Sequence, residues 1–212
     1  MALKKAPSSG PAGTTLRRVE HREYPRDLDG LCAQMADPDP GVRRWAARDL
    51  AMHSQAVNQL VARLGVEPDA SVRAVIFSSL AQIGGPAVVD AVLPLLRSED
   101  AMLRNAAIEV LAGLPDAVAP RIEALLADAD SDVRIFSINL LGQLPHPSVP
   151  KWLAQVLQRE MQANVVGAAL DVLAEVGGPE LAQPLRQTIA RFVDEPYIVF
   201  AAELVLQRIE AA

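Results

Sequence analysis

DASVRAVIFSSLAQIGGPAVVDAVLPLLRS, residues 69–98, contains two apolar helical patterns separated by a Gly-Gly-Pro interruption. Its first residue is an Asp, whose carboxylate can accept hydrogen bonds from the free N–H groups at a helix start. A Val-Arg pair follows, and a leucine stands eight residues after that valine. The segment therefore predicts two helices joined by a tight turn.

The same landmarks return along the rest of the chain at intervals of 30 to 33 residues. A period of this length is typical of stacked repeat proteins, in which each unit contacts only its neighbours. Two further units carry Val166 and Val199 where the others have arginine. The aliphatic-Arg pairs start at residues 42, 72, 103 and 133, and the leucines that follow them are Leu50, Leu80, Leu111 and Leu141.

Composition agrees with closely packed helices. Half of the residues are hydrophobic and only 4% are aromatic, so the interior must consist mainly of small and aliphatic side chains. In the second helix of each unit, apolar residues recur every four positions, as at Val88, Val92 and Leu96. Such spacing makes a stripe on one face, and a single short helix pair cannot bury it. We therefore predict an all-α fold, an α-solenoid of about five to six stacked helix-turn-helix repeats.

Two regions are predicted from this pattern. Residues 1–26, rich in Pro, Gly, Ser and Thr, are expected to form a disordered, weakly basic arm, and residues 27–212 the repeat domain. A short helix from Asp27 to Met35 is expected to cap the array. First helices are predicted near 40–52, 70–83, 101–113, 131–143, 162–176 and 196–209, and second helices near 55–64, 87–97, 117–127, 147–158 and 180–192.

The pattern Asp-x-x-Val-Arg-x-x-Ala-x-x-x-Leu, followed by a Gly/Pro turn and a second Leu-rich helix, resembles the short HEAT-like repeats of the bilin-lyase type. It covers residues 36–212 and is complete at Asp39, Val42, Arg43, Ala46 and Leu50. The last two units depart from it, because they lack the arginine. The resemblance implies an α-solenoid whose second helices line the inner curve. It says little about activity, since such repeats serve many unrelated proteins.

An acidic body is joined to a weakly basic amino-terminal region. The net charge is −6, of which residues 1–27 contribute +3 and the remainder −9. General nucleic-acid binding needs Lys/Arg surfaces that displace counterions from the phosphates. The charge distribution therefore makes a nucleic-acid partner an unfavoured expectation.

The residues that usually bind metals or attack substrates are scattered. The three histidines and Cys32 are widely separated, and none has a partner at metal-ligand spacing. The sequence contains no P-loop, no dinucleotide fingerprint and no Gly-x-Ser-x-Gly motif. We therefore expect no metal, no cofactor and no catalytic residue.

Targeting signals and membrane segments are not expected. The start, MALKKAPSSGPAGTT, lacks the apolar core of a signal peptide. The apolar run near residues 83–96 is interrupted by glycines, a proline and an aspartate, so no membrane-spanning helix is expected. The single cysteine cannot form an internal disulfide and fits a reducing compartment. The predicted location is cytoplasmic.

The repeated arginines allow two interpretations. As an exposed stripe they could bind phosphate groups. Each also stands three or four residues after an Asp, in a column where neighbouring units stack, so a ladder of hydrogen bonds between repeats is the favoured interpretation. The residues of this structural ladder are Arg43, Arg73, Arg104 and Arg134.

Trp152 is the residue singled out as a binding anchor. The equivalent positions in other second helices hold Gln59, Ala91, Arg121 and Pro184, which predicts a solvated column rather than a core position. Aromatic side chains on such surfaces are common anchors for partners. With Arg121, Lys151 and Gln155, Trp152 is predicted to form an inner-face patch suited to an acidic or apolar segment of a protein. Trp45, whose column otherwise holds small or apolar residues, is expected to be a packing residue.

Three functions remain open at this level. The favoured one is a non-enzymatic protein-binding scaffold or adaptor, for instance an assembly or maturation factor for a larger complex. The first alternative is a chromophore-handling enzyme, because the bilin lyases that the repeats resemble attach or remove bilins. The second alternative is a nucleic-acid-binding protein, as some helical-repeat proteins are, although the acidic body argues against it.

Overall fold

The computed structural model describes residues 24–211. Within that range all the regular secondary structure is helical, with three 3-10 turns at Ser54–Ala56, Leu93–Arg97 and Pro179–Leu181. The disordered arm predicted for residues 1–26 falls, up to residue 23, outside the described residues. The twelve α-helices are α1 Leu28–Gln34, α2 Pro40–Leu50, α3 Val57–Leu64, α4 Ala70–Ile83, α5 Gly85–Val92, α6 Ala101–Ala112, α7 Pro115–Leu126, α8 Ser131–Gln143, α9 Val149–Arg159, α10 Ala163–Val176, α11 Ala182–Arg191 and α12 Pro196–Ala211.

The helices form two layers. First helices pack side by side in the order α2, α4, α6, α8, α10 and α12, while second helices pack in the order α3, α5, α7, α9 and α11. The short helix α1 packs on α2 at one end, and α12 stands at the other end without a second helix of its own in the described residues. Five helix pairs between two single helices confirm the predicted α-solenoid.

The aspartates of the repeat pattern start the first helices. Asp39, Asp69, Asp100 and Asp130 each have extended backbone angles, and each carboxylate accepts a hydrogen bond from a backbone N–H in the first turn. These bonds satisfy donors that have no partner inside the helix. Gln162 occupies the same place before α10 and makes no side-chain cap. The start of α10 therefore lacks one local stabilising interaction that the four earlier starts have.

The turn between α4 and α5 requires glycine. Gly84 and Gly85 have φ values of 63° and 80°, in the left-handed region that side chains with a Cβ rarely adopt. Because two consecutive residues take this conformation, α5 can begin directly after α4 ends. The helix pair is thereby folded back on itself within a single residue of linker.

A column of leucines forms the centre of the array. Leu50, Leu80, Leu111, Leu141 and Leu173 are all fully buried, as the repeat register predicts. The second-helix stripes complete the interior, and the buried aliphatic side chains form one continuous cluster along the stack. Each unit therefore depends on its neighbours for burial of its apolar face.

Candidate functional site

Arg43 lies at the junction between the first two repeats. Its Nε and Nη2 donate to the two carboxylate oxygens of Glu67, at 2.8 and 2.7 Å, and Nη1 donates to the carbonyl oxygens of Asp37 and Pro38. Glu67 lies in the loop that precedes α4 and also accepts from Arg63 Nε at 2.8 Å. Both Arg43 and Glu67 are buried. The Arg43 guanidinium thus connects the loop that precedes α2 to the loop that precedes α4.

Arg134 makes the same connection between α8 and α10. Its guanidinium donates to both carboxylate oxygens of Glu160, at 2.7 and 3.2 Å, and to the carbonyl oxygen of Asp128 at 2.9 Å. Arg73 makes a single bond of 3.0 Å to Asp100, the cap of the next first helix. These contacts have the geometry of the proposed ladder, except that glutamates rather than aspartates accept the bidentate bonds.

Arg104 departs from the ladder. Its Nη1 donates to the carbonyl oxygen of Ser98 at 2.7 Å, and its guanidinium lies over the ring of Phe136 at 4.5 Å from the centroid. Its buried Nε has no hydrogen-bond partner. The loop acid that would accept from it, Asp128, is instead bonded to Arg97. Arg104 therefore contacts the next repeat through an aromatic ring, and Arg97 instead supplies the bond to the loop carboxylate.

At the junction between α10 and α12, both the arginine and the loop acid of the ladder are replaced by valine. Val166 takes the arginine position and is fully buried, and Val193 takes the position of the loop acid, five residues before the aliphatic start of the motif. Arg208 of α12 instead donates to the carbonyl oxygens of Leu173 and Gly177. At most of the earlier junctions the first helices are joined through charge pairs. Here α10 and α12 are joined by apolar contact and backbone acceptors, and the ion pair between Arg186 and Glu210 is exposed and joins α11 to α12.

The loop glutamates are held in their charged forms. Burial by itself would raise the pKa of Glu67, but hydrogen bonds from Arg43, the Asp69 N–H and Arg63 outweigh it and hold that pKa at about 2. The pKa of Glu160 is lowered for the same reasons: burial opposes ionisation, and bonds from Arg134 and the backbone of Gln162 overcome it. Both carboxylates are therefore structural anions with their acceptor capacity in use.

The exposure predicted for Trp152 was wrong. Its side chain is only 7% exposed, belongs to the core cluster and stacks on the His146 ring with centroids 4.8 Å apart. The apolar face of α9 is wider than the four-residue spacing suggests, since buried residues occur at positions 149, 152, 153, 156 and 157. That sequence of intervals is the ordinary core-facing stripe of an amphipathic helix. It was present in the sequence and could have placed Trp152 in the core.

The other members of the predicted patch are separated in their roles. Arg121 makes two 3.0 Å bonds to Asp90, which compensates its charge. Lys151 is exposed and Gln155 is half-buried. Gln155 and the edge of Trp152 line a groove of about 340 Å³ between α7 and α9, together with compensated charges such as Arg134. A contribution of Arg121, Lys151 and Gln155 to binding stays a prediction, but they do not surround an exposed aromatic.

Trp45 is the exposed tryptophan. Its side chain is 53% exposed on α2, and the Arg48 guanidinium lies over its ring at 4.0 Å from the centroid. Arg44 precedes it, and a cavity of about 290 Å³ opens between α2 and α4, lined by Arg44, Trp45, Arg48, Val75, Ser78, Ser79 and Gln82. We call these seven residues the Trp45 surface. Its lining contains two arginines and no acid.

Alignment of the repeats led to the opposite expectation for Trp45. The equivalent residues Val75, Ala106, Phe136, Ala168 and Ala201 are half-buried at the seam between adjacent first helices. An indole is too large for that seam, so most of the ring extends over the surface. The arginines one residue before and three residues after it were the available signal, because a guanidinium at i+3 can reach the ring on a helix.

Two further observations concern the described residues as a whole. Between residues 24 and 211, no three His, Cys, Asp or Glu side chains are grouped as a metal ion requires. None of the helices in that same range is long and apolar enough to cross a lipid bilayer.

The chain belongs to the HEAT-repeat family. The family model for HEAT repeats matches residues 28–112 and 118–207, which together include most of the helices described above. The repeat type inferred from the Asp, Val-Arg and Leu landmarks is confirmed by this match.

Two curated proteins are similar in sequence. One is a bilin biosynthesis protein, PecE, of Mastigocladus laminosus, 32% identical over 141 residues, which are 64% of this chain and 52% of that protein. The chain thus spans about half the length of this relative. The other is an uncharacterized phycocyanin operon protein Z of Pseudanabaena tenuis (strain PCC 7409), 25% identical over 86% of this chain and 95% of that protein.

Solved structures with similar helical arrays include two of different origin. The complex of CpcE and CpcF of phycocyanin lyase from Nostoc sp. PCC7120 is 20% identical, with 85% of this chain and 81% of that chain covered and a TM-score of 0.37. A designed armadillo repeat protein is 16% identical, with 86% and 100% covered and a TM-score of 0.41.

Proposed function

We propose that this chain is a non-enzymatic scaffold that binds an acidic segment of a protein partner at the Trp45 surface. The single observation that carries the proposal is the exposed Trp45 ring between two arginines, on a body that is otherwise acidic. Tryptophan and arginine are the residues that most often dominate the binding energy of an interface. Here they stand together on one helix, next to a cavity large enough for a side chain of a partner.

Charge selects the class of partner. Residues 28–212 carry a net charge of −9, so a basic partner would be attracted almost anywhere on the body. The lining of the Trp45 surface contains Arg44 and Arg48 without an acid, and Arg48 is paired at 3.2 Å with Asp49, a carboxylate that Arg26 also contacts. The Arg48 side chain is itself exposed, and such pairs contribute little and are readily exchanged. A partner carboxylate can therefore replace Asp49, while an apolar side chain packs on Trp45.

The relatives suggest where such a scaffold works. One is a bilin biosynthesis protein and another is encoded in a phycocyanin operon. We propose that the partner is a protein component of a bilin-carrying complex, which this chain binds during assembly or maturation. This context rests on the relatives, whereas the acidic segment rests on the chemistry of the Trp45 surface.

Fluorescence tests the surface directly. The Trp152→Phe variant leaves Trp45 as the reporter, and it is titrated with acidic peptides containing leucine or phenylalanine, with basic peptides and with scrambled neutral ones. We expect saturable changes with acidic peptides that weaken as salt rises. Adding Arg44→Gln and Arg48→Gln should abolish them. Equal binding of basic and neutral peptides would overturn the proposal.

Affinity for a whole partner is measured with apo-phycocyanin subunits as the first probe. Trp45→Ala should weaken binding by about thirtyfold or more, the value expected when an anchor aromatic is truncated. The matched controls are Met102→Ala, an exposed residue of α6, and Gln155→Ala in the α7–α9 groove. A loss of binding in the Gln155 variant and not in the Trp45 variant would place the site in that groove instead.

Chromophore-handling activity is the second candidate, favoured by the names of the relatives. It is tested by mixing the protein with a bilin and an apo-phycocyanin subunit, and by following absorbance and covalent attachment on denaturing gels. A bilin-dependent covalent product that requires this chain would replace the scaffold proposal. A gel shift with nucleic acid at low salt tests the third possibility in the same way.

A further inference from the structure

The last helix, α12, carries an exposed apolar stripe. Tyr197, Phe200 and Leu204 are 61%, 65% and 55% exposed. Their spacing of three and four residues places them on one face of the helix. The Tyr197 ring packs closely against α10: its Cε1 would lie 3.2 Å from a Cβ added at Gly167.

The packing of repeats does not require apolar residues at these positions. In α2 to α10, the position of Leu204 is exposed in every first helix, and in each of them it holds a polar or charged residue. The positions of Tyr197 and Phe200 are also mostly polar or small in those helices. The residues equivalent to Leu204 are Arg48, Ser78, Glu109, Asn139 and Asp171.

Three large apolar side chains on one exposed face of a helix are the sign of a surface that another protein covers.

We propose that a second copy of this chain covers it, through antiparallel packing of α12 against α12 about a two-fold axis near Phe200. A two-fold interface must be self-complementary, since the same residues occur on both sides. The stripe meets this requirement because Tyr197 and Leu204 lie almost equally far on either side of Phe200. Antiparallel packing therefore brings Phe200 against Phe200, and Tyr197 against Leu204.

The charges at the ends of α12 agree with this direction. Asp194 and Glu195 precede the helix. Arg208 lies in its last turn and, within the described residues, is bonded only to backbone carbonyl oxygens, so its charge is not neutralised, whereas Glu210 beside it is paired with Arg186. Antiparallel packing places the acidic start of one helix beside the Arg208 end of the other, whereas parallel packing would place like charges together. The dipoles of the two helices are also opposed, which favours the same direction.

The apolar area that the stripe can bury indicates a weak dimer. A fully buried aromatic side chain removes 150–250 Å² from water, so three side chains exposed by a little more than half supply roughly 400 Å² per protomer. Stable interfaces bury about 800 Å² per partner. The dimer is therefore weak, with a dissociation constant of roughly 1–100 µM, and it forms in a concentration-dependent way.

Cysteine cross-linking tests the register. In a Cys32→Ser background, Phe200→Cys should form an intermolecular disulfide on mild oxidation, because the two Cα atoms face each other. Leu204→Cys alone should not, because its two copies lie about 10 Å apart along the helix axis, beyond disulfide reach. Mixing Tyr197→Cys with Leu204→Cys should restore the cross-link. Equal cross-linking of both single variants would overturn the antiparallel register.

Sedimentation equilibrium tests the dimer itself. The protein should shift from monomer to dimer between about 1 and 300 µM, the range set by the predicted dissociation constant. Phe200→Glu should raise that constant at least tenfold and leave the circular dichroism spectrum unchanged. Met102→Glu, at the position in α6 that corresponds to Tyr197, should leave it unaltered. A wild-type protein that stays monomeric throughout would overturn the proposal and leave the stripe to a different partner.

Discussion

Arg43 and Glu67 lie 24 residues apart, in consecutive repeats, and are joined by two parallel hydrogen bonds of 2.8 and 2.7 Å in a buried site. Burial of two charges costs free energy that their attraction must offset, and it does so only when the remaining polar atoms are bonded. Here Arg63, the Asp69 N–H and two carbonyl groups complete the set. The pair therefore specifies which loop each helix meets.

Removal of one partner should be costly. Glu67→Gln leaves the Arg43 guanidinium buried without a counter-charge, and changes of this kind typically cost about 3–5 kcal/mol of unfolding free energy. Urea denaturation followed by circular dichroism measures the loss. Glu180→Gln, at an exposed position, is the control and should change stability by less than about 0.5 kcal/mol. Equal effects of the two changes would contradict the role of the pair.

The same carboxylate makes stability depend on pH. Glu67 has a folded-state pKa of about 2 against an ordinary value of 4.5. A lowered pKa means that the stabilisation is complete above about pH 5 and is lost as the pH falls towards 2. The difference corresponds to about 3 kcal/mol. Urea titrations at pH 7, 5, 4 and 3 should show this slope in the wild type, and a shallower one in Glu67→Gln.

Leu111 tests the leucine column. The residue is fully buried in α6, in the middle of the array. Leu111→Ala should cost about 2–5 kcal/mol, because the lost transfer free energy adds to that of the cavity left behind. Met102→Ala in the same helix removes an exposed side chain and serves as the control. Because contacts are local, we expect the unfolding transition of the Leu111 variant to separate into steps. A cost below about 1 kcal/mol would mean that the register is wrong.

The two kinds of arginine junction should respond differently. Arg134→Gln removes a bidentate bond to Glu160, while Arg104→Gln removes a backbone bond and a contact with Phe136. We expect the melting temperature to fall in both variants and further in the first, since bonds to a charged acceptor are stronger. Binding of a partner should be nearly unchanged. An Arg104→Gln protein with full thermal stability and no binding would make the arginines a functional surface.

Tryptophan fluorescence distinguishes the two indoles. In Trp152→Phe, the remaining Trp45 should emit at long wavelength and be quenched readily by acrylamide. In Trp45→Phe, the remaining Trp152 should emit at shorter wavelength and be protected, because it is buried against His146. Trp152→Ala should also cost about 3–5 kcal/mol, as truncation of a buried aromatic does. Similar quenching of the two single-tryptophan proteins would contradict this assignment.

The architecture could be predicted because it depends on short-range signals that repeat. The Asp caps, the Gly84-Gly85 turn and the apolar spacing each follow from local backbone chemistry, and the 30-residue period places them in one stack. Helix limits agreed with the predicted ranges to within a few residues at most ends. A motif that occurs six times at nearly constant spacing leaves little freedom to the fold.

The functional surface could be predicted less well. The exposure of a side chain depends on its size and on its neighbours as well as on its position in the repeat. Trp45 and Trp152 occupy columns whose other members are smaller, and their exposures came out opposite to expectation. His146, which covers Trp152, lies in a link outside the helical register. The glutamates that bind Arg43 and Arg134 also lie in loops, where the repeat pattern fixes no residue type.

Because valines replace the charge pair at the junction of α10 and α12, the two ends of the array respond differently to acid. At Val166 and Val193 protonation changes no charge, whereas at Arg43 and Glu67 it removes the anion that the guanidinium needs. Acid should therefore loosen the amino-terminal repeats first, because the Arg186–Glu210 pair at the last junction is exposed and contributes little. A partner held on α2 would then be released on acidification before two copies joined through α12 came apart, so one chain could let go of one companion and keep the other.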